Sequence, residues 1–398
     1  MRALFLNHNV VRTGTFQRAS CLARELRRAG HEVTLITTSA DLRRRGREWD
    51  WDGVRIVEAP DLLSGCARTG WDPWNTAWRL RWLARENYDL IHAFDSRPAV
   101  IIPALAVRKR TGIPLIMDWA DWWGRGGTIQ ERSSWAVRAL VGGIETWFEE
   151  AFRADATAHT TIVEPLRQRC IGLGIDPARV LTLPNGCAPP AATPLSSAAA
   201  RRQLRLGREP LLLHLGALPR NDAPVLFDAF RRVLRGLPST RLALVGRFQF
   251  PVPADIEAAV IRRGFVSNDE LELWLRAADV GVLVLRDNIA SRGRWPGKLS
   301  EYLTAGLPIV MPRVGSAAES IGAAGAAVLS APDADGLAAS MLGVLGDPDL
   351  RAALAAQGRR LAGGDLAWRC VAARLLDFYE QLGVLPDGAR RREPARTR

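Results

Sequence analysis

Lys298 and Glu301, three positions apart, carry the clearest chemistry in this 398-residue chain. They follow Gly293-Arg-Trp-Pro-Gly-Lys298-Leu-Ser, a Gly/Pro loop that opens a helix at Pro296. Proline suits the start of a helix because its missing N–H would find no partner there, and the remaining free N–H groups make an anion site. An ammonium beside such a helix start suits a diphosphate, and a carboxylate one turn on suits two vicinal ribose hydroxyls. The same pair could equally be a solvated cation and a carboxylate that complements the helix dipole. A Walker-type NTPase loop is excluded. It needs four residues between its glycines and Ser or Thr after the lysine; this chain has three, then Leu299.

A second constellation is Asp118-Trp119-Ala120-Asp121-Trp122-Trp123, directly after the apolar run Pro114–Met117. Asp118 and Asp121, at a strand's C-terminal end, could orient a substrate's hydroxyls or act as a catalytic base, and the rings of Trp119, Trp122 and Trp123 could stack on a ligand's apolar face. The alternative is a capped, buried turn in which Asp121 binds backbone amides and the tryptophans fill the core. A metal reading of D-x-x-D is weaker, and no metal site is assigned. Asp95, near Arg97 and His92, holds a similar place after another strand and is taken as a substrate contact of the same kind; a lone histidine at a strand end is more often structural. Hydride transfer loses ground because the first strand–helix turn, NHNVVRTGTF, has one glycine, Gly14, where a dinucleotide loop needs three. Gly172–Leu173–Gly174 begins a partial match but lies at a helix end, where a C-cap is the simpler reading.

Strand, loop and helix alternate along the chain. Strand-like runs fall at Arg2–Asn7, Glu32–Thr38, Val54–Glu58, Leu90–Phe94, Pro114–Met117 and Val180–Leu183, separated by helical stretches. The pattern restarts with strands at Pro210–Leu215, Arg241–Val245, Arg263–Val266, Val280–Leu285 and Pro308–Met311, and ends in helices. It predicts an α/β protein with two Rossmann-like domains facing a central cleft. The domains fall at 1–188 and 210–365, joined by a Pro/Ala/Ser-rich linker at 189–209. A C-terminal helix, 366–387, is able to pack back on the first domain, and 388–398 is a disordered basic tail.

The net charge of +12 does not signal a nucleic-acid partner. All cations but Lys109 and Lys298 are arginine, +4 of the excess sits on residues 388–398, and the rest is mixed in sign instead of forming a stripe. Five dispersed cysteines without a C-x-x-C pair suit reduced thiols. MRALFLNHNVV is too short for a signal-peptide apolar region, and the longest near-apolar stretch, Pro98–Val107, is half a membrane span. The expectation is a cytoplasmic protein that could touch a membrane peripherally.

The run ADVGVLVLRDNIASRGRWPGKLSEYLTAGLPIVMPRVGSAAESI resembles the donor-site block of GT-B-fold glycosyltransferases of the glycosyltransferase 4 / group 1 type, in the variant with P-x-K-x-x-E-Y followed by A-G-x-P-[IV]-V. The matching residues are Pro296, Lys298, Glu301, Tyr302, Ala305, Gly306, Pro308, Gly315 and Glu319. RELRRAGHEVTLITT, YDLIHAFDS, VLTLPNG, LLLHLGAL, LALVGR and RRGFVSNDEL extend the similarity over the whole chain in the family's order. The resemblance implies an enzyme that moves a sugar from a nucleotide-sugar with retention of configuration and without metal or other cofactor. It implies a donor on the C-terminal domain and a sugar, lipid-linked or small-molecule acceptor against the N-terminal one. By similarity Glu301 would bind ribose, Lys298 the diphosphate, and the backbone at Phe265 and Val266 the base. Gly14 would let backbone approach the phosphates.

Three departures accompany the match. The family's earlier donor-facing glutamate falls at Gly293, and its sugar-facing histidine at Ala120. After the strand ending at Leu215 the family offers an Arg and a Lys; here the run is Gly216-Ala217-Leu218-Pro219-Arg220, so Gly216 and Arg220 are carried as donor contacts, with Arg220 equally readable as a surface residue. These losses keep open a catalytically silent GT-B scaffold acting as a partner subunit, and epimerisation or phosphorolysis on the same fold. Trp71, Trp74, Trp78 and Trp82 form one stripe on a helix beginning at Asp72 and Pro73, with Arg79, Arg81 and Arg85 off it. That stripe reads as the helix's packing face, with a lipid-interface face or an acceptor wall as alternatives.

Overall fold

In a computed structural model the chain forms two compact units, Met1–Asn185 together with the chain from Trp368 onward, and Gly186–Ala367. The structure describes residues 1–41, 44–63, 69–131, 135–189, 195–248 and 250–385. Cys66, residues 190–194 of the expected linker and the basic tail 388–398 lie outside these.

The first unit runs β1 (Arg2–Val10), α1 (Thr15–Arg28), β2 (Glu32–Thr38), β3 (Arg47–Trp51), β4 (Val54–Ala59), α2 (Pro73–Leu83), β5 (Leu90–Phe94), α3 (Pro98–Thr111), β6 (Leu115–Trp119), α4 (Trp135–Glu150), β7 (Ala158–Thr161), α5 (Glu164–Gly172) and β8 (Val180–Thr182). Its strands form one sheet in the order β3-β4-β2-β1-β5-β6-β7-β8, parallel except for β3. Alternate residues of β1 feed the two faces. Ala3 and Phe5 join the core under α1, and Leu4 and Leu6 the core under α3. A sheet buried on both faces has near-continuous apolar strands, and this is why β1, β2 and β5 were legible.

The second unit runs α6 (Ser197–Gln203), β9 (Leu211–Leu215), α7 (Ala223–Gly236), β10 (Arg241–Val245), β11 (Val260–Arg263), α8 (Asn268–Ala277), β12 (Val280–Val282), α9 (Ile289–Arg292), α10 (Gly297–Ala305), β13 (Ile309–Pro312), α11 (Gly315–Ala323), β14 (Ala327–Ser330), α12 (Ala334–Gly346) and α13 (Pro348–Gly363). Its all-parallel sheet has the order β11-β10-β9-β12-β13-β14. Part of the expected linker at 189–209 is folded into the second unit: α6 lies inside it and packs on α8, with the Arg201 guanidinium on the Ala277 carbonyl and Asp279. The strand expected at Arg263–Val266 is instead Val260–Arg263. Its ladder with β10 ends at Val245–Arg263, where Gly246, at φ +137°, donates its N–H to the Arg263 carbonyl and turns the chain away.

The last helix, α14 (Trp368–Gln381), belongs to the first unit and packs on α1 through Val371, Leu375 and Tyr379. Its Tyr379 hydroxyl ends a buried hydrogen-bond chain. Thr160 donates to Asp118, so the His92 Nε2–H must donate to the Thr160 oxygen, 3.1 Å away, and Nδ1 accepts from Tyr379. Burial holds His92 neutral, pulling it down to about 3. Arg18 of α1 closes the chain with a bidentate pair to Asp118 at 2.9 and 3.0 Å.

The α2 stripe holds in part: Trp78 and Trp82 pack half-buried against the core under α3, while the fully buried face of the helix is a different one. Asp72 caps this helix on the Trp74 N–H, but its buried residues are Asn75, Thr76, Arg79 and Leu83. Arg79 is fully buried, with hydrogen bonds to Asn75 Oδ1 at 2.7 Å, the Asn7 carbonyl at 2.9 Å and Thr38 Oγ1 at 3.2 Å. Trp78 and Trp82 stack on each other, Trp82 beneath Arg55, and Trp74 is left exposed. Arg79→Leu is therefore expected to cost about 3 kcal/mol, since three buried polar groups lose their partner, and Trp74→Ser less than about 0.5 kcal/mol. Urea denaturation of both variants checks the ranking, and the opposite order would restore the tryptophan face as the packing face.

Candidate functional site

In the second unit the site grows from the end of β9. Gly216 has φ +75° and donates its N–H to the Val245 carbonyl at 2.7 Å. A Cβ on Gly246 would lie 2.5 Å from the Gly216 carbonyl, so the loops after β9 and β10 touch through glycines. Across from them α10 starts behind Pro296, with no side chain capping its first turn. Tyr302 fixes this helix: its hydroxyl donates to the Leu213 carbonyl and accepts from the Leu215 N–H, both at 3.0 Å. Gly281 leaves the room, because a Cβ there would sit 2.9 Å from the Tyr302 ring.

That clamp places Lys298 against β9. Its Nζ lies 3.0 Å from His214 Nε2 and 3.4 Å from the Ala217 carbonyl, and its stem passes 3.9 Å from the place a Cβ on Gly216 would take. Desolvation pulls the ammonium down to about 7; Asp222 opposes that shift and Arg294 reinforces it. Glu301, one turn on, is exposed and its carboxylate has no hydrogen-bond partner among the described residues; partial desolvation and the like charge of Glu272 push its carboxyl up. Lys298, Gly216 and Glu301 thus share the start of α10 and the end of β9. Arg220 is exposed on the loop before α7. Phe265 is 80% exposed with the Arg247 guanidinium 5.3 Å from its ring centroid, and Val266 beside it is half-buried.

His214 and Arg286 were not singled out from the sequence. His214 is the one polar side chain in the strand LLLHL, which was the available signal. Arg286 had none: it pairs at 2.8 Å with Asp222, which lies six residues after Gly216 in sequence.

In the first unit the geometry overturns two assignments. Asp118 is fully buried and committed to Arg18 and Thr160, so it offers no carboxylate to a substrate. Trp119 is 2% exposed; its Nε1–H donates to Glu149 at 2.9 Å, and Arg153 lies 3.5 Å from its ring centroid. It is core, not a sugar platform. The turn is held from a distance by Glu149, which also accepts from the Trp123 and Gly124 N–H groups at 2.8 Å each. Asp121 is half-buried, as is Trp122, whose ring carries Arg169 at 4.3 Å and whose Nε1–H donates to the Arg125 carbonyl.

Asp95 sits with φ +77° at the end of β5 and pairs at 2.9 Å with His8 Nε2, while His8 Nδ1 meets Thr69 Oγ1 at 3.1 Å. This pairing and the nearby Arg97 hold the Asp95 carboxyl well below the usual range against burial, which pushes it up. His8 follows the apolar start of β1, and nothing in its spacing points to Asp95. Gly14 has φ +52° at the start of α1, and a Cβ there would meet the Asn9 side chain at 2.7 Å. That side chain accepts from the Thr15 N–H and hydroxyl and so shapes the loop.

A family model described as Glycosyl transferase 4-like domain matches residues 13–186, and one described as Glycosyl transferases group 1 matches residues 209–347. The chain belongs to the glycosyltransferase 4 / group 1 family. Its fold is GT-B, shared with sucrose-phosphate synthase from Thermosynechococcus elongatus (TM-score 0.71, 17% identity, 96% of this chain and 99% of that one). HepE of Anabaena in complex with UDP and glucose is similar at TM-score 0.69 and 16% identity, over 96% of this chain and all of that one. WaaG, a glycosyltransferase involved in lipopolysaccharide biosynthesis, gives TM-score 0.67 and 19% identity over 94% and 98%. In sequence, a GDP-mannose-dependent monoacylated alpha-(1-6)-phosphatidylinositol monomannoside mannosyltransferase of Corynebacterium glutamicum is 25% identical over 202 residues. The match spans 48% of this chain and about half, 52%, of that relative's length.

In this glycosyltransferase-family chain, Asp118→Asn breaks a buried ion pair and strands the Arg18 charge. It is expected to lower unfolding free energy by about 3–5 kcal/mol. Chemical denaturation checks this; an unchanged midpoint would return Asp118 to the catalytic candidates.

Proposed function

We propose that the chain transfers a sugar from a nucleotide-diphosphate sugar to a hydroxyl acceptor, with retention of configuration and without a metal. The observation that carries the reading is the Lys298 ammonium held at the end of β9 in the uncapped first turn of α10, with Glu301 one turn on. A leaving nucleoside diphosphate develops negative charge as the sugar departs. Fixed cations and helix N–H groups can neutralise that charge, the work a divalent ion does elsewhere. Glu301, exposed and unpaired, suits the two ribose hydroxyls, and Phe265 and Val266 the base.

The relatives' names support the donor class: HepE is complexed with UDP and glucose, and the Corynebacterium enzyme is GDP-mannose-dependent. The latter's acceptor is a phosphatidylinositol mannoside, which favours a lipid-linked or glycan acceptor and peripheral contact with a membrane. No helix among the described residues is long and apolar enough to cross one. Asp95, Asp121 and Trp122 remain the acceptor-side candidates, and Gly14 a phosphate-side one.

A thermal-shift panel of UDP, GDP, ADP and dTDP identifies the base. Against the stabilising nucleotide, Lys298→Ala and Glu301→Ala are each expected to weaken calorimetric affinity about 10- to 100-fold with little change in unfolding midpoint, since each removes a charge-assisted hydrogen bond. Unchanged affinity in both variants overturns the site, and anomeric inversion in the product overturns retention.

A further inference from the structure

The proposed site leaves His214 unexplained: a fully buried imidazole in the middle of the second sheet, on the strand that ends at Gly216. Its two nitrogens have unequal partners. Nδ1 lies 3.1 Å from the Val282 carbonyl of β12, an acceptor, so Nδ1 must carry the hydrogen. Nε2 then presents a lone pair to the Lys298 ammonium 3.0 Å from it, and the Ala217 carbonyl, which also faces the ring, accepts from the same ammonium. Burial and the adjacent ammonium both hold His214 well below its ordinary value, so this tautomer is the charge-neutral resting state. The charged groups acting on Lys298 are Asp222 from the start of α7 and Arg294 from the loop before α10, with Arg286 paired to Asp222.

We propose that His214 is a positioning residue, whose Nε2 lone pair holds the Lys298 ammonium at the end of β9 and keeps it protonated for a nucleotide diphosphate. The inference rests on the donor-site reading above for its ligand, but the His214–Lys298 coupling itself does not. Without the imidazole, a desolvated lysine loses its one side-chain acceptor among the described residues, and the neutral amine becomes the preferred form at lower pH. With Lys298 already drawn down to about 7, donor affinity falls as pH rises through neutrality, because the charged form is the one that binds.

The chain contains two lysines, Lys109 and Lys298, so full-length protein labelled with [13Cε]lysine gives two titrating signals, assigned by the one lost in Lys109→Gln. The Lys298 signal is expected to titrate near neutrality. In His214→Phe its midpoint should fall by about 1 pH unit or more. His214→Gln, whose carboxamide oxygen reaches the ammonium, should keep the wild-type midpoint. His214→Asn, which reaches Val282 and not Nζ, should behave like the phenylalanine variant and carries the test if that variant does not fold. Calorimetry with UDP-glucose and GDP-mannose, whose diphosphates do not titrate in this range, supplies the second readout. Affinity of whichever binds should fall about tenfold in His214→Phe near pH 7.5 and recover toward wild type near pH 6. An unmoved Lys298 midpoint in both His214→Phe and His214→Asn overturns the proposal. A moved midpoint with neither nucleotide-sugar bound by the wild type upholds the coupling and overturns the donor reading instead.

Discussion

The first unit is organised around a carboxylate that has no access to water. Asp118 stands inside the sheet on β6, and an ionised group there is tolerable only if paired and hydrogen-bonded. Arg18 supplies the opposite charge from α1, Thr160 a hydroxyl from β7, and behind Thr160 stand His92 on β5 and Tyr379 on α14. Each member has a donor or acceptor role set by the one before it, so the chain has a single consistent proton arrangement. Five elements meet through it. It explains why the last helix belongs to the first unit, and why two residues attractive as catalysts, Asp118 and His92, are structural.

The second unit solves a different problem, holding charged groups near a glycine-lined strand end. Tyr302 spans the Leu213 carbonyl and the Leu215 N–H of β9, and Gly281 makes room for its ring. A helix clamped to a strand at one residue has its first turn placed as well, and that turn carries Lys298. Gly216 and Gly246 let two loops pass at the same strand ends. The Tyr of the E-Y pair is therefore the anchor and the Lys and Glu the groups it presents.

The departures from the family pattern fall at particular places. In the loop after β9, where the family offers an Arg and a Lys, Ala217 offers its carbonyl to Lys298. Asp222 brings in Arg286, a guanidinium from the loop after β12. Positive charge around the end of β9 thus comes from Lys298, from Arg294 and, through Asp222, from Arg286.

The alternation of strands and helices, the ordered motifs of the family and the P-x-K-x-x-E-Y spacing were all legible in the sequence. They are local: apolar runs of strand length, a proline at a helix start, and residues one turn apart. β11 was misplaced because a strand edge is decided by its neighbour's register; β3, which alternates charged residues with tryptophan, and β7 and β14, each four residues long, were missed. The tryptophan stripe on α2 gave only part of the packing face, for a related reason. Hydrophobic spacing names a face, but Arg79 fills the buried one by finding three polar partners, one on its own helix and one each on β1 and β2. Pairings at separations of 84 to 287 residues, Lys298 with His214, His8 with Asp95, Asp118 with Arg18 and His92 with Tyr379, exist only once the sheets have formed. Sequence alone determined the family, the fold class and the helix that carries the candidate site. Tertiary structure decided which charges are buried in pairs and which stay accessible, because desolvation acts on neighbours in space and not on neighbours in the chain.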